Sequence, residues 1–158
     1  MSTPLDLEAR GHSEHPEALR LWLRLLTCTQ LIEKRIRTGL RERFDTTLPR
    51  FDLMAQLERH PEGLKMKELS QRLMVTGGNV TGITDQLVRE GLVERHVETT
   101  DRRIFRVRLT PAGRQAFADM AQVHEQWIVD ALSVLSEREL AQLHRLLGKV
   151  KHHQPPLP

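Results

Sequence analysis

A mainly α-helical fold with one small β-hairpin is predicted by three observations. Apolar residues recur every three or four positions over most of the chain, the spacing that lines one side of a helix. Only Leu92–Val97 and Ile104–Leu109 alternate with period two, on either side of "ETTDRR". Between the periodic runs stand caps, first-turn prolines and stop glycines.

The first helix starts at about Pro16, a favourable first-turn proline, and runs to about Arg43. Within Leu19–Ile32 its apolar residues fall on almost every side, which suits a helix covered on more than one face. "TTLPRFDLMAQLERHPEG" opens with threonine caps and Pro49 and stops at His60-Pro61 and Gly63, giving a short second helix. "MKELSQRLM" gives a third, with Met66, Leu69 and Leu73 on one face. The fourth lies in "VTGGNVTGITDQLVREGLVERH" (Val75 to His96), capped near Thr76 and ended by Gly91 in the left-handed conformation. Thr110-Pro111 opens a fifth helix reaching about Leu135. The capping box of "SERE" (Ser136, Glu139) opens a sixth, carried by Leu140, Leu143, Leu147 and Val150. Residues 1–14 and 152–158 read as flexible ends. A helix pair followed at once by a two-stranded hairpin is the layout of a winged helix-turn-helix.

At 158 residues, the chain is most simply one domain, or a small domain with an appended helical part. Aromatics are only 4%, so the core is aliphatic, and such a core with long helices suits a subunit that completes its burial by dimerising. A formal charge of +3 permits nucleic acid as a partner. More pointed is the run from Arg102 to Arg114, with five arginines and no acid. One cysteine, Cys28, excludes an intrachain disulfide and a multi-cysteine zinc site. The histidines form no ligand set on one helix face, so no metal and no cofactor is expected. No apolar run is long enough for a membrane span, and the polar, acidic N-terminus is unlike a signal peptide; a soluble, cytoplasmic protein is expected. No nucleophile elbow, phosphate loop or cysteine–histidine pair in a supporting context is present, so no enzyme and no catalytic residue is expected.

The fourth helix carries the chemistry. Val80, Ile83 and Leu87 cluster on one side and face the core, while Gly78 and Gly82 lie opposite. Glycines there strip side chains from the outward face and let the backbone approach another surface. The major groove of DNA just admits a helix, and a helix N-terminus favours phosphate. Thr76, Gly77, Gly78, Asn79, Thr81, Gly82, Asp85, Gln86 and Arg89 are the candidate contacts, with Asn79, Thr81 and Gln86 reaching base edges and Arg89 a phosphate. The hairpin adds Arg102, Arg103 and Arg106, with Arg108 on the same outer side, suited to the minor groove and backbone. A glycine-marked poor helix beside a solvated arginine face is the plain alternative. A protein-docking module is another, which would need an apolar patch on the fourth helix.

These stretches resemble the MarR family of bacterial transcriptional regulators. "LPRFDLMAQL", "LKMKELSQRLMVTGGNVTGITDQLVREGLVER" and "DRRIFRVRLTPAGR" carry the likeness, above all G-L-V-E-R, then D-R-R, then L-T-x-x-G. The resemblance implies a homodimer whose helices in 15–45 and 111–151 interlock, with a winged domain in 46–110. It implies a palindromic double-stranded DNA operator, usually repression, and release by a small, often anionic aromatic effector. Asp101 and Arg103 match the family's D-x-R, in which the acid positions the arginine, leaving Arg102 to enter a groove.

Arg20, Arg24 and Thr27 share a stripe about 60° wide on the first helix, where two arginines can hold a carboxylate or simply form a solvated face. Trp22, His124 and Trp127 are candidate aromatic walls of an effector site, or core packing. Arg50 and Asp52 face the same crevice if the family layout holds. Cys28 offers a thiol-based redox trigger instead. Set mid-helix among leucines with no tyrosine in the chain, it reads as a small buried hydrophobe.

Overall fold

The computed structural model describes residues 15–73 and 79–157. The expected flexible segment 1–14, and Thr76, Gly77 and Gly78 of the fourth helix, lie outside the described residues. The described chain forms α1 (Pro16–Phe44), α2 (Leu48–Glu58), β1 (Leu64–Lys65), α3 (Met66–Arg72), α4 (Val80–Arg89), β2 (Val93–Val97), β3 (Phe105–Leu109), α5 (Pro111–Leu132) and α6 (Glu137–His152).

Local chemistry sets these boundaries. Thr47 caps α2 by accepting from the Arg50 N–H, and Thr110 caps α5 by accepting from the Gly113 N–H. Ser136 and Glu139 form the capping box of α6. The cap expected near Thr76 lies outside the described residues; the described α4 is capped by Asn79, its Oδ1 accepting from the Gly82 N–H at 3.1 Å. The fifth helix stops at Leu132 rather than Leu135, where the Ser133 hydroxyl donates to the Asp130 carbonyl.

The hairpin is also more than a hairpin. β1 pairs with β3, so the sheet order is β1-β3-β2, antiparallel throughout, with Leu64 opposite Val107 and Val93 opposite Leu109. Two residues are too short for alternation to show, so β1 was not readable as a strand. Val93, Val107 and Leu109 face inward and join Leu40, Leu53, Met54, Leu57, Leu69 and Leu87 in the core. Burying each such side chain stabilises the fold by about 1.5–3 kcal/mol.

Gly113 explains why the L-T-x-x-G stretch matters. A Cβ there would lie 1.9 Å from the Leu92 carbonyl oxygen, so α5 touches the start of β2 through a bare backbone. Thr110 completes the joint: its N–H donates to the Leu92 carbonyl and its hydroxyl to the Gly91 carbonyl. Gly91 itself, at φ 73°, closes α4 as expected.

The terminal helices are left apolar on the outside. At about 1.5 Å per residue, the 29-residue α1 is about 43 Å long, and only its C-terminal half carries buried residues, Ile36 and Leu40. Leu19, Leu21, Trp22 and Leu31 remain exposed, as do Leu143, Leu146, Leu147 and Val150 of α6. Cys28 falls on this part of α1 and is exposed, which corrects the expectation of a buried filler. Leu21 and Leu31 share its side of the helix and are exposed with it, because nothing else among the described residues covers that side of α1.

Gly113→Ala is expected to lower the unfolding free energy by about 2 kcal/mol or more, because the obstacle is backbone and cannot move aside. Urea unfolding of the two proteins measures it; an unchanged midpoint contradicts the joint.

Candidate nucleic-acid interface

α4 is fixed on its inner side by Leu87 and Thr84, both fully buried, with Val80 and Ile83 packed against the core. Thr84 satisfies its hydroxyl by donating to the Val80 carbonyl at 2.8 Å. Thr81, Gln86 and Arg89 are exposed on the other side. The outward face is therefore polar, as the wheel predicted. Gly82 serves differently from expectation: a Cβ there would come within 3.1 Å of the Asn79 carboxamide, so its bareness also makes room for the cap. Asn79 correspondingly spends its oxygen inside the helix rather than holding it out for a base.

Two predicted contacts of α4 are paired within the chain. Asp85 is ion-paired with Arg95 of β2, whose guanidinium also sits 5.6 Å from the Phe105 ring centroid. Gln86 accepts from Arg50 of α2 at 3.4 Å, and Arg50 also pairs with Glu90 just past the helix end. An arginine thus reaches α4 from each flank. Asp85, a poor neighbour for phosphate, has its charge offset by Arg95.

In the wing, Asp101 accepts from the Arg103 N–H at 3.0 Å and from its Nε at 3.2 Å, the positioning expected of that acid. Those bonds hold the Asp101 carboxyl below the usual carboxylate range. Arg102 is exposed, and the Arg103 side chain is 91% exposed. Arg106 does lie on the outer side of β3, but its guanidinium is occupied by Glu98 at 2.8 Å and by the Gly63 carbonyl at 3.2 Å. Arg108 is likewise held by Glu94, directly opposite on β2. Cross-strand acids neutralise the inner arginines, and the tip keeps its positive charge. The sequence could have signalled this: in "VERHVE", Glu94 faces Arg108 across the hairpin, and Glu98 stands two residues from His96, which faces Arg106.

A model of the MarR family matches residues 44–104, the span from the end of α1 to the wing. YkoM of Bacillus subtilis (strain 168), an uncharacterized HTH-type transcriptional regulator, is 34% identical over 89 residues, 56% of this chain. That match covers 58% of YkoM's own length. A MarR family transcriptional regulator from Silicibacter pomeroyi is 29% identical with a TM-score of 0.74, over 90% of this chain and 98% of that one. Mutant MarR from E. coli, solved as a complex with operator DNA, is 26% identical with a TM-score of 0.72, over 87% and 98%. In sequence over the winged region and in fold over most of its length, the chain is similar to MarR-family transcriptional regulators.

The expected effector residues are spread over several places. Arg20, Trp22, Arg24 and Thr27 lie on the half of α1 that projects past the core; Trp22 is 57% exposed, and Arg20 pairs with Glu17. A shared stripe on a wheel says nothing of distance along a helix this long. Trp127 rests on Gly39 and lines a shallow groove with Leu31, Lys34, Arg35 and Thr38. His124 stacks on Phe51 at 4.8 Å, and its burial lowers its pKa, favouring the neutral ring. Arg50 lines a separate cavity with Phe44, Thr46, Met54, Leu92, Ala116, Asp119 and Met120.

Asp52 turns toward α1, where its Oδ2 is buried and accepts no hydrogen bond from a described residue. Desolvation, then Glu33, push its carboxyl up to about 6, against the pull of Arg37. A carboxyl raised on folding adds stability below its unfolded pKa and loses it as pH rises through about 6. Asp52→Asn is therefore expected to stabilise the protein at pH 7.5 by on the order of 1 kcal/mol, discounted for partial exposure. The gain should shrink toward pH 4. Urea unfolding across that range measures it, and a gain independent of pH contradicts the assignment.

Proposed function

We propose that the chain is a transcriptional regulator that binds double-stranded DNA as a homodimer, represses from a palindromic operator, and is released by a small anionic aromatic effector. One observation carries the DNA reading: a helix packed inward by Leu87 and Thr84 and polar outward stands beside a wing tip bearing Arg102 and Arg103. The helix suits the major groove, and arginine suits the narrow minor groove beside it. The complex of mutant MarR with operator DNA supports the same use of a related fold. Pairing is supported by the apolar side chains on the projecting half of α1 and on α6, where none of the described residues is buried. Two copies related by a two-fold axis would present two recognition helices to a palindrome.

Fluorescence anisotropy with the chain's own upstream DNA tests this reading. Tight binding that prefers that DNA over random duplex and weakens steeply with salt is expected. Arg102→Ala should weaken binding to all duplexes alike and reduce the salt slope by about one. Equal affinity for random and upstream DNA overturns the proposal.

A second reading has one observation in its favour. Cys28 is exposed within one chain, on the half of α1 assigned above to pairing, so peroxide oxidation there is a candidate trigger that would act through the pairing of subunits. Peroxide that releases the protein from DNA, but not the Cys28→Ser variant, would establish it; release of both would exclude it.

A further inference from the structure

The outward face of α4 has most of its acceptors already occupied. Gln86 stands there exposed, one turn after Gly82, whose missing side chain leaves the carboxamide room. Its Oε1 accepts from Arg50 at 3.4 Å. A guanidinium has donors only, so the carboxamide atom facing it is the oxygen. The amide Nε2 is left over and donates to none of the described residues. Arg50 is held in turn, its Nε donating to Thr46 Oγ1 at 3.1 Å and its other terminal nitrogen paired with Glu90. Asn79, two turns before Gln86, is one-sided in the same way, its Oδ1 accepting from the Gly82 N–H at 3.1 Å. Asp85, the one acid within α4, is closed by Arg95, and the exposed Arg89 has donors alone. Thr81, whose hydroxyl both donates and accepts, is the exception. What this face offers a groove is mainly N–H.

Bases differ in how they meet such a face. In the major groove guanine shows two neighbouring acceptors, N7 and O6, whereas adenine shows an acceptor beside a donor, thymine one acceptor beside a methyl group, and cytosine a donor. An unhindered glutamine pairs best with adenine, its oxygen taking the N6 hydrogen while its nitrogen gives to N7. Gln86 lacks that option because Arg50 holds the oxygen. We infer that Gln86 selects guanine within the operator, and that Arg50 sets this choice from α2 by occupying the acceptor that adenine would need. The inference rests on the regulator reading given above and adds which base one side chain selects. Gln86 is the contact; Arg50 is a positioning residue acting through it.

Full-length wild type, Gln86→Ala and Arg50→Leu are each used to select binding sites from a library of random duplexes, and base frequencies are compared position by position. Gln86→Ala should lose its preference at one position of each half-site and keep the rest, and the wild type should hold a G·C pair at that position. Arg50→Leu frees the Gln86 oxygen, so the same position should shift toward A·T while its neighbours stay as they were. A recognition helix that was merely loosened would blur every position instead. Replacing the selected guanine by 7-deazaguanine, which lacks the N7 acceptor, should weaken wild-type binding about fivefold and leave Gln86→Ala unaffected; this arm needs no variant of Arg50. An A·T pair in the wild-type sites at the position that Gln86→Ala erases overturns the inference. So do Gln86→Ala sites identical with the wild type's, Arg50→Leu sites without the shift toward A·T, and equal wild-type affinity for guanine and 7-deazaguanine. A wild type that enriches no sequence at all overturns the regulator reading, and the inference with it.

Discussion

The seating of α4 is the constraint on which everything outward of it depends. Leu87 and Thr84 leave no gap beneath the helix, so its inner face is fixed by packing. Packing alone lets a ten-residue helix rock about its axis. The arginines on either flank, Arg95 from β2 and Arg50 from α2, oppose that motion by holding Asp85, Gln86 and Glu90. Surface ion pairs of this kind contribute about 0–1 kcal/mol each, small beside the burial of Leu87. Their importance is thus in orientation rather than in folding. A groove-reading helix turned by one residue presents different atoms to the bases.

The same economy shapes the wing. The chain's arginine run looks uniformly positive in sequence, yet Glu98 and Glu94 offset Arg106 and Arg108, and positive charge is concentrated at Arg102 and Arg103. Thr110 and Gly113 then bind the closing strand and α5 to the end of α4. Helix, wing and the long α5 are thus joined at one corner.

Periodicity made much of this legible. The core side of α4, the two longer strands and the six helices follow from spacing and local rules, and the Asp101–Arg103 pair from the family resemblance. β1 escaped because two residues carry no period. Arg50, Asp52, His124 and Trp127 were grouped as one site when their neighbours differ: Arg50 faces α4, Asp52 faces α1, His124 stacks on Phe51 and Trp127 rests on Gly39. Pairings across 36 and 40 residues, such as Arg50 with Gln86 and Glu90, leave no local trace. Exposure of Cys28 depends on where α1 leaves the core, which composition does not encode.

Hydrogen exchange at the amides of Val80–Glu90 tests the seating of α4 most directly, comparing the wild type with Arg95→Gln in the absence of DNA. Faster exchange confined to α4, with α2, α5 and the sheet unchanged, is the expected result, since the variant loses the Asp85 pair and the Phe105 contact but no core packing. Identical protection of α4 in both proteins would contradict a helix held from its flanks.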